Sequence, residues 1–423
     1  MNSTRFFNIV FISLNTLVFI NCGASKPTVV SDNVEKVAFK TAVNTLSREI
    51  DIQEKKIYNL ENTDIYLSNK FDGARLNGAK KLNDSTAIVY INPENSPINN
   101  SAYYAFKVWC NTKRSFYFKF SYPEEYKHRY IPKVKINDSW SIIDDEVVFK
   151  KGKTVTVKLN LSETPITVAA QEVENSEDVK NWYTKLILGK EEYVQLKSVG
   201  SSVLGKDLPV LDIYKGDKKN KEIIVLLTRQ HPPEVTGYYA FQSFLETILN
   251  DSELSNQFLN KYRVLAFPIL NPDGVDMGHW RHNYGGVDLN RDWSVYNQQE
   301  VKNVVTFISK TLQEDDAKII LGLDFHSTYK DIFYTNKARE STAMPNFIRF
   351  WFAGLEENIP NYRVNEASGN SNKPVSKGWF LYGHNAVGIT YEIGDKTPKE
   401  NIDLIGRVSA NQMMKIVTYL RTK

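Results

Sequence analysis

The sequence predicts an α/β domain, a mixed and mostly parallel sheet flanked by helices, preceded by an antiparallel β-sandwich. Three observations carry this prediction. Short runs of period-two alternation, separated by Asn, Pro, Asp and Gly clusters, occupy about 61–172. Near Asn181 the pattern changes to apolar strands alternating with stretches of helical spacing. The 423 residues exceed any single small module and, at ~150 residues per domain, fit two or three domains.

Taken in order, the chain begins with Arg5, an apolar run from Phe6 to Ile20, and Cys22. That run has the length of a signal peptide and is short for a membrane span. Cys22 resembles the lipid-modified Cys of bacterial lipoproteins, although Phe19-Ile20-Asn21 is a loose version of the small-residue box that precedes such a Cys. An ordinary cleaved export signal is the alternative. The expectation is an exported protein attached to a membrane through Cys22, or otherwise periplasmic or secreted. Residues 23–60 open with Gly23-Ala24-Ser25-Lys26-Pro27 and read as a linker or irregular lead-in.

The sandwich strands are expected at Ala87-Ile88-Val89-Tyr90, Tyr103 to Trp109, Ser115 to Phe120 and Val155 to Leu159. Lys150-Lys151-Gly152-Lys153 reads as the solvated tip of a hairpin. The second domain, 178–423, has buried strands at Glu222 to Leu227, Val264 to Phe267 and Ile319 to Leu323. Tyr238, Phe241, Phe244, Leu245 and Ile248 lie at helical spacing after the first, and Val301, Val304, Val305 and Ile308 before the third. A sheet of this kind gathers ligands at the carboxyl ends of its strands.

Composition removes several function classes. Lys plus Arg number 53 against 49 Asp plus Glu, a net +4, which calls for no nucleic acid or other polyanionic partner. A mean hydropathy of −0.40 excludes a polytopic membrane protein, and 7 Trp, 23 Tyr and 22 Phe argue against disorder. With Cys22 and Cys110 alone, there is neither a disulfide framework nor a Cys-built zinc site.

The chemistry is expected at the strand ends. Beyond the strand at 222–227 lies Arg229-Gln230-His231-Pro232-Pro233-Glu234, in which an imidazole and a carboxylate are close enough to meet one metal ion. Among 6 histidines such a pair is weak on its own. His326, directly after Leu323-Asp324-Phe325, adds a second imidazole. Two His and one Glu at sheet ends, with one position left for water, form a catalytic zinc pattern.

Between these lies Asn271-Pro272-Asp273-Gly274, then Trp280-Arg281, then Gly286-Val287-Asp288-Leu289-Asn290-Arg291. These elements closely resemble the zinc carboxypeptidase family of the carboxypeptidase A type, over roughly 180–420. The resemblance implies that fold, one Zn2+ per chain on His231, Glu234 and His326, and a peptide substrate with a free C-terminus. It makes Asp288 the carboxylate that orients the first His ligand, Asn290 and Arg291 the pair that holds the terminal carboxylate, and Arg281 the cation at the scissile carbonyl. Gly388-Ile389-Thr390-Tyr391-Glu392 resembles the segment of the catalytic glutamate, so Glu392 is the expected general base and acid.

Some features depart from the pattern or stay open. Where the family often carries a substrate-closing Tyr, this chain reads Asn365-Glu366-Ala367-Ser368-Gly369, and Tyr382 is the substitute considered. Lys377 falls near the family's side-chain specificity pocket, where it would favour an acidic terminal residue, unless it faces solvent. His279 and His282 are expected to line the cleft or its rim. Ser101 to Val108 and the Tyr-rich segment ending Tyr130-Ile131-Pro132 look similar to the β-sandwich of the cytosolic carboxypeptidase branch; a generic spacer or carbohydrate-binding sandwich is the alternative. The expected activity is metallocarboxypeptidase. An amidase or cell-wall peptidase on the same scaffold, and a non-catalytic binding protein, are the competing readings. Oligomeric state is not encoded legibly.

Overall fold

The computed structural model describes residues 34–337 and 341–420; the expected export segment and Cys22 lie outside the described residues. Two sheets form the first layer pair. One orders Ile57–Asn59, Ile65–Ser68, Ala105–Cys110, Ile166–Ala169, Lys133–Ile136 and Ser139–Ile142; the other orders Gly78–Asn83, Thr86–Tyr90, Arg114–Ser121, Thr154–Leu161 and Val148–Lys151. Period-two alternation turns Phe116, Phe118 and Phe120 inward from one strand and Val155, Val157, Leu159 and Leu161 from its neighbour. They share one core with Ile65, Leu67, Phe106 and Val108 of the opposite sheet. Each such side chain contributes about 1.5–3 kcal/mol by leaving water. Cys110 is a buried free thiol in this core, and Gly152, at φ +60°, turns the basic hairpin.

The sandwich departs from the antiparallel expectation at one place. Thr86–Tyr90 pairs with Arg114–Ser121 in parallel. Between them the chain crosses to the other sheet as Ala105–Cys110, and a strand that returns after such an excursion runs in its starting direction. Alternation reports which face is buried and is blind to strand direction.

The third sheet has eight strands, in the order Val194–Ser201, Asp207–Ile213, Tyr262–Phe267, Glu222–Thr228, Lys318–Thr328, Val387–Gly394, Ile332–Tyr334 and Glu366–Ala367. The four from Tyr262–Phe267 to Val387–Gly394 are mutually parallel. Helices cover both faces, as a parallel sheet requires. Val235–Ile248, Phe347–Asn358 and Lys399–Lys415 pack on the face of Ile224 and Leu226. Gln299–Glu314 and Ser376–His384 pack on the face of Ile223, Val225 and Leu227.

Residues 34–51 contain no helix or strand, yet they are bound along the catalytic domain. The Ser294 hydroxyl donates to the Val37 carbonyl (2.7 Å) and the Tyr296 hydroxyl to that of Glu35 (3.1 Å). Thr41 N donates to Asn372 O (3.0 Å) and Arg48 N to Gly285 O (2.8 Å).

His128 of the sandwich is wedged among Tyr104, Phe120 and Tyr122, with Nδ1 2.8 Å from the Tyr122 hydroxyl. Burial, with a further contribution from Lys150, lowers its pKa to about 4. An unfolded chain therefore takes up a proton near pH 6.5 that the folded ring refuses until about pH 4. Folding stability should fall as pH drops through that window. Thermal melting from pH 7 to pH 4 should show a shallower decline in His128→Gln than in the wild type; identical slopes would remove His128 as a cause.

Candidate active site

Each functional side chain is placed by a local rule. Glu222–Thr228 ends in a left-handed residue, Arg229 (φ +56°), whose buried guanidinium donates to the carbonyls of Glu174 (2.9 Å) and Pro232 (3.0 Å) and so fixes the following turn. That turn carries His231 and delivers Glu234 to the N-cap of Val235–Ile248. The helix lies directly on the strand bearing His326: a Cβ at Gly237 would stand 2.2 Å from the His326 carbonyl oxygen, so only glycine permits the approach. Lys318–Thr328 and Val387–Gly394 pair in parallel register with His326 opposite Glu392. Thr390 and Glu392, two residues apart, both face the cleft.

His231, Glu234 and His326 converge. His231 Nδ1 lies 2.9 Å from Glu234 Oε1 and 3.1 Å from His326 Nδ1, which is 2.6 Å from Glu234 Oε2. All three residues are buried. The far nitrogens are both held by carboxylates, His231 Nε2 by Asp288 Oδ1 (2.8 Å) and His326 Nε2 by Asp324 Oδ2 (2.7 Å). A carboxylate there fixes the proton on Nε2 and leaves the Nδ1 lone pair for a cation. Two such lone pairs and a carboxylate within 4.8 Å of one another suit a borderline metal such as Zn2+.

Electrostatics follow from the crowding. Burial alone would raise the Glu234 carboxyl, but His231 and His326 hold it well below the usual carboxylate range. Burial would lower His326, and Asp324 with Glu234 raises it instead. The Asp288 carboxyl, despite burial, is held low by Arg281, Arg291 and His231. Glu392 goes the other way: burial first, then the Glu234 charge, raises it. Its Oε2 has no hydrogen-bond partner within the protein.

The predicted substrate residues surround this centre. Arg281 Nε donates to Asp288 Oδ2 (2.8 Å) and its Nη1 is 4.0 Å from Glu234. Asn290 lies against His326 (Nδ2 to Nε2, 3.3 Å), and Arg291 is pinned through Nη1 to the Asn290 carbonyl (2.6 Å). All of them, with Glu392 and Lys377, line one cleft of about 300 Å3. Lys377 does not face solvent. It is 1% exposed and donates to the Thr335 carbonyl (3.1 Å), Asn336 Oδ1 (3.1 Å) and Ser371 Oγ (2.9 Å). Burial lowers its pKa to about 8.

Two expectations need correcting. Tyr382 is half exposed, rests on Phe39, donates to the Ser371 carbonyl (3.0 Å) and is absent from the cleft lining, where Tyr329 and Tyr334 stand instead. His279 and His282 are buried and face Glu94 and Asn95 of the sandwich, not the cleft. Asp324 joins the site without a motif of its own; its one signal in the sequence is an acidic residue inside an apolar strand, two before His326 and so on the same face. Arg129, Asn99, Asn100 and Ser101 of the sandwich also line the cleft, and nothing local in the sequence marks them.

The profile of the zinc carboxypeptidase family matches residues 179–408. Cytosolic carboxypeptidase 2 of Danio rerio is 33% identical over 149 residues, 33% of this chain and 21% of that protein. The Xenopus tropicalis protein of that name is 29% identical over 142 residues, 32% of this chain and 14% of its own length. The match thus spans about a fifth or less of these curated relatives. Among solved structures, a metallo-carboxypeptidase from Burkholderia cenocepacia superimposes with a TM-score of 0.71 at 14% identity, covering 84% of this chain and 98% of that one. A metallo-carboxypeptidase from Pseudomonas aeruginosa, in complex with (2-guanidinoethylmercapto)succinic acid, gives a TM-score of 0.67 at 18% identity over 83% and 98%. These likenesses concern the fold, and their extent takes in the sandwich as well as the catalytic part.

Asp324→Asn should weaken zinc binding roughly 10- to 100-fold. Competition against a chromophoric chelator measures this; an unaltered affinity would remove Asp324 from the metal site.

Proposed function

Because the chain belongs to the zinc carboxypeptidase family, we propose that it hydrolyses the last peptide bond of peptides with a free C-terminus, with one zinc ion held by His231, Glu234 and His326. The observation that carries this reading is the placement of Asn290, Arg291, Arg281 and Glu392 around that triad in one cleft. When bound, zinc supplies a Lewis acid that acidifies water and polarises a carbonyl.

The protein's own groups do the rest. Arg291 presents a planar fork to the terminal carboxylate, with Asn290 beside it. Both must be rigid to act as a ruler, and Arg291 is anchored at the Asn290 carbonyl while the Asn290 side chain accepts from Ser376 N (2.9 Å). Arg281, held by Asp288, offers its remaining N–H groups to the scissile carbonyl oxygen as negative charge develops there. Glu392 removes a proton from the attacking water and returns it to the departing amine; a carboxyl whose pKa is raised is suited to both halves.

Lys377 sets the preference. Among the described residues no carboxylate pairs with its buried ammonium, which is bound only by neutral oxygens. A buried cation without a counter-ion is unfavourable until a negative partner arrives, so an acidic terminal side chain is the fitting occupant. The apolar run from Phe6 to Ile20, followed by Cys22, supports export and attachment to a membrane by lipidation of that Cys.

Three measurements test this. Peptides differing only in the last residue should lose it stepwise, fastest for Glu or Asp, and a zinc chelator or Glu392→Gln should reduce the rate by at least about 100-fold; internal cleavage, or equal turnover of amidated peptides, would favour the amidase or cell-wall peptidase. Lys377→Met should abolish the acidic preference while retaining activity on apolar termini, and an unchanged preference would refute the pocket. Cys22→Ser should move the protein from the membrane fraction to the soluble fraction; continued membrane attachment would refute lipidation at that residue.

A further inference from the structure

The segment that bears Arg281 is held by the sandwich as well as by the catalytic domain, where Asn271 Nδ2 donates to His282 O (3.2 Å). Glu94 follows the strand Thr86–Tyr90 and is fully buried. Its Oε2 accepts from Trp280 N (2.7 Å), and its Oε1 accepts from Arg281 N (3.0 Å) and His282 N (2.7 Å). One carboxylate thus satisfies three consecutive backbone donors. Asn95 extends the grip, with Oδ1 2.7 Å from His282 Nδ1 and Nδ2 donating to Gly286 O (3.0 Å).

Side chains reinforce the same contact. Trp280 is inserted into the sandwich core, edge-on to Tyr126 with ring centroids 5.2 Å apart. The next side chain, Arg281, enters the cleft instead. Burial would raise the Glu94 carboxyl, but His279, the Arg75 guanidinium and His282 hold it below the usual carboxylate range, so it stays an acceptor with no proton to offer.

We propose that Glu94 is a positioning residue for Arg281, and that the sandwich is through it a component of the catalytic apparatus. This rests on the carboxypeptidase reading, in which Arg281 acts at the scissile carbonyl. The physical reason for a carboxylate is specific. Three N–H groups converge on two oxygens, and an amide in their place turns an NH2 toward at least one of them. That donor must move away, and Arg281 moves with it.

The test is a double-mutant cycle on the full zinc-loaded chain, with a peptide substrate, of Glu94→Gln and Arg281→Ala. Glu94→Gln should lower kcat roughly 10- to 100-fold with KM and zinc content near wild type. In the Arg281→Ala background it should have no further effect, because the group it positions is gone. Val157→Ala, in the sandwich core and not among the hydrogen-bond partners of Glu94, should lower Tm without the fall in kcat. An unchanged kcat in Glu94→Gln, or an equal loss with and without Arg281, would overturn the proposal.

A second readout is independent of turnover. In 15N-arginine-labelled protein the Arg281 Nε–H resonance, assigned by its loss in Arg281→Lys, should shift and lose exchange protection in Glu94→Gln. An inactive wild type would refute the carboxypeptidase reading, while this resonance still decides whether Glu94 places Arg281. Should Glu94→Gln fail to fold, Glu94→Asp keeps the charge at shorter reach and enters the same cycle with the same expectations.

Discussion

Two imidazole nitrogens 3.1 Å apart, with one carboxylate against both, form an arrangement that only a proton or a cation makes favourable in a buried place. The rest of the site is arranged to keep it a cation's place. Asp288 and Asp324 hold the outward nitrogens, and each carboxylate is itself restrained. Gln230 Nε2 donates to Asp324 (2.6 Å), and the Ser376 hydroxyl donates to the same oxygen. Asp288 accepts from Arg281 Nε and from Asn290 N (2.9 Å). The carboxylate that holds His231 Nε2 therefore also holds the Arg281 guanidinium and the Asn290 backbone. The candidate metal ligand His231 and the residues proposed to contact substrate share one anchor, and disturbing it disturbs both.

Those side chains reach one another because of sheet geometry. Three parallel strands end at the same edge and supply the His231 turn, His326 and Glu392, while the helices behind them close in through glycine. At Gly388 a Cβ would stand 2.1 Å from the Lys377 carbonyl oxygen, so the helix bearing Lys377 lies against the strand bearing Glu392. The fourth wall has another origin. Arg129, gripped by Asp395 (2.9 Å) and flanked by the Tyr130 and Tyr329 rings, brings sandwich residues to the cleft.

What the sequence made legible follows the range of the signals. Period-two alternation marked the strands around Phe116 and Val155 because burial on one face is local, and it could not report that Thr86–Tyr90 runs parallel to its neighbour. The family resemblance singled out His231, Glu234, His326, Asp288, Arg281 and Glu392, and the structure gathers these residues at one edge of the sheet. Lys377 was located by its distance from Glu392, but its burial depends on Asn336, 41 residues away in the chain, as well as on nearby Ser371. Glu94 and Arg129 were invisible for the same reason: an acid or a base in a loop has no pattern, and its partner is about two hundred residues or more away. Tyr382 illustrates the converse, an aromatic at a plausible spacing whose hydroxyl is spent on the Ser371 carbonyl.

The irregular stretch at 34–51 has a consequence for how the chain reaches this state. Its hydrogen bonds run to Gly285, Ser294, Tyr296 and Asn372, so one of the earliest synthesised parts of the described chain closes on one of the last. Contacts of such sequence separation form late, because the loop they close must be ordered first. The loop after Asn290 and Arg291 and the turn before Lys377 are the segments it ties down. The loops that follow Arg291 and precede Lys377 are thus latched only once residue 372 has been made and folded into place, and until then the cleft has walls that are present but not yet joined.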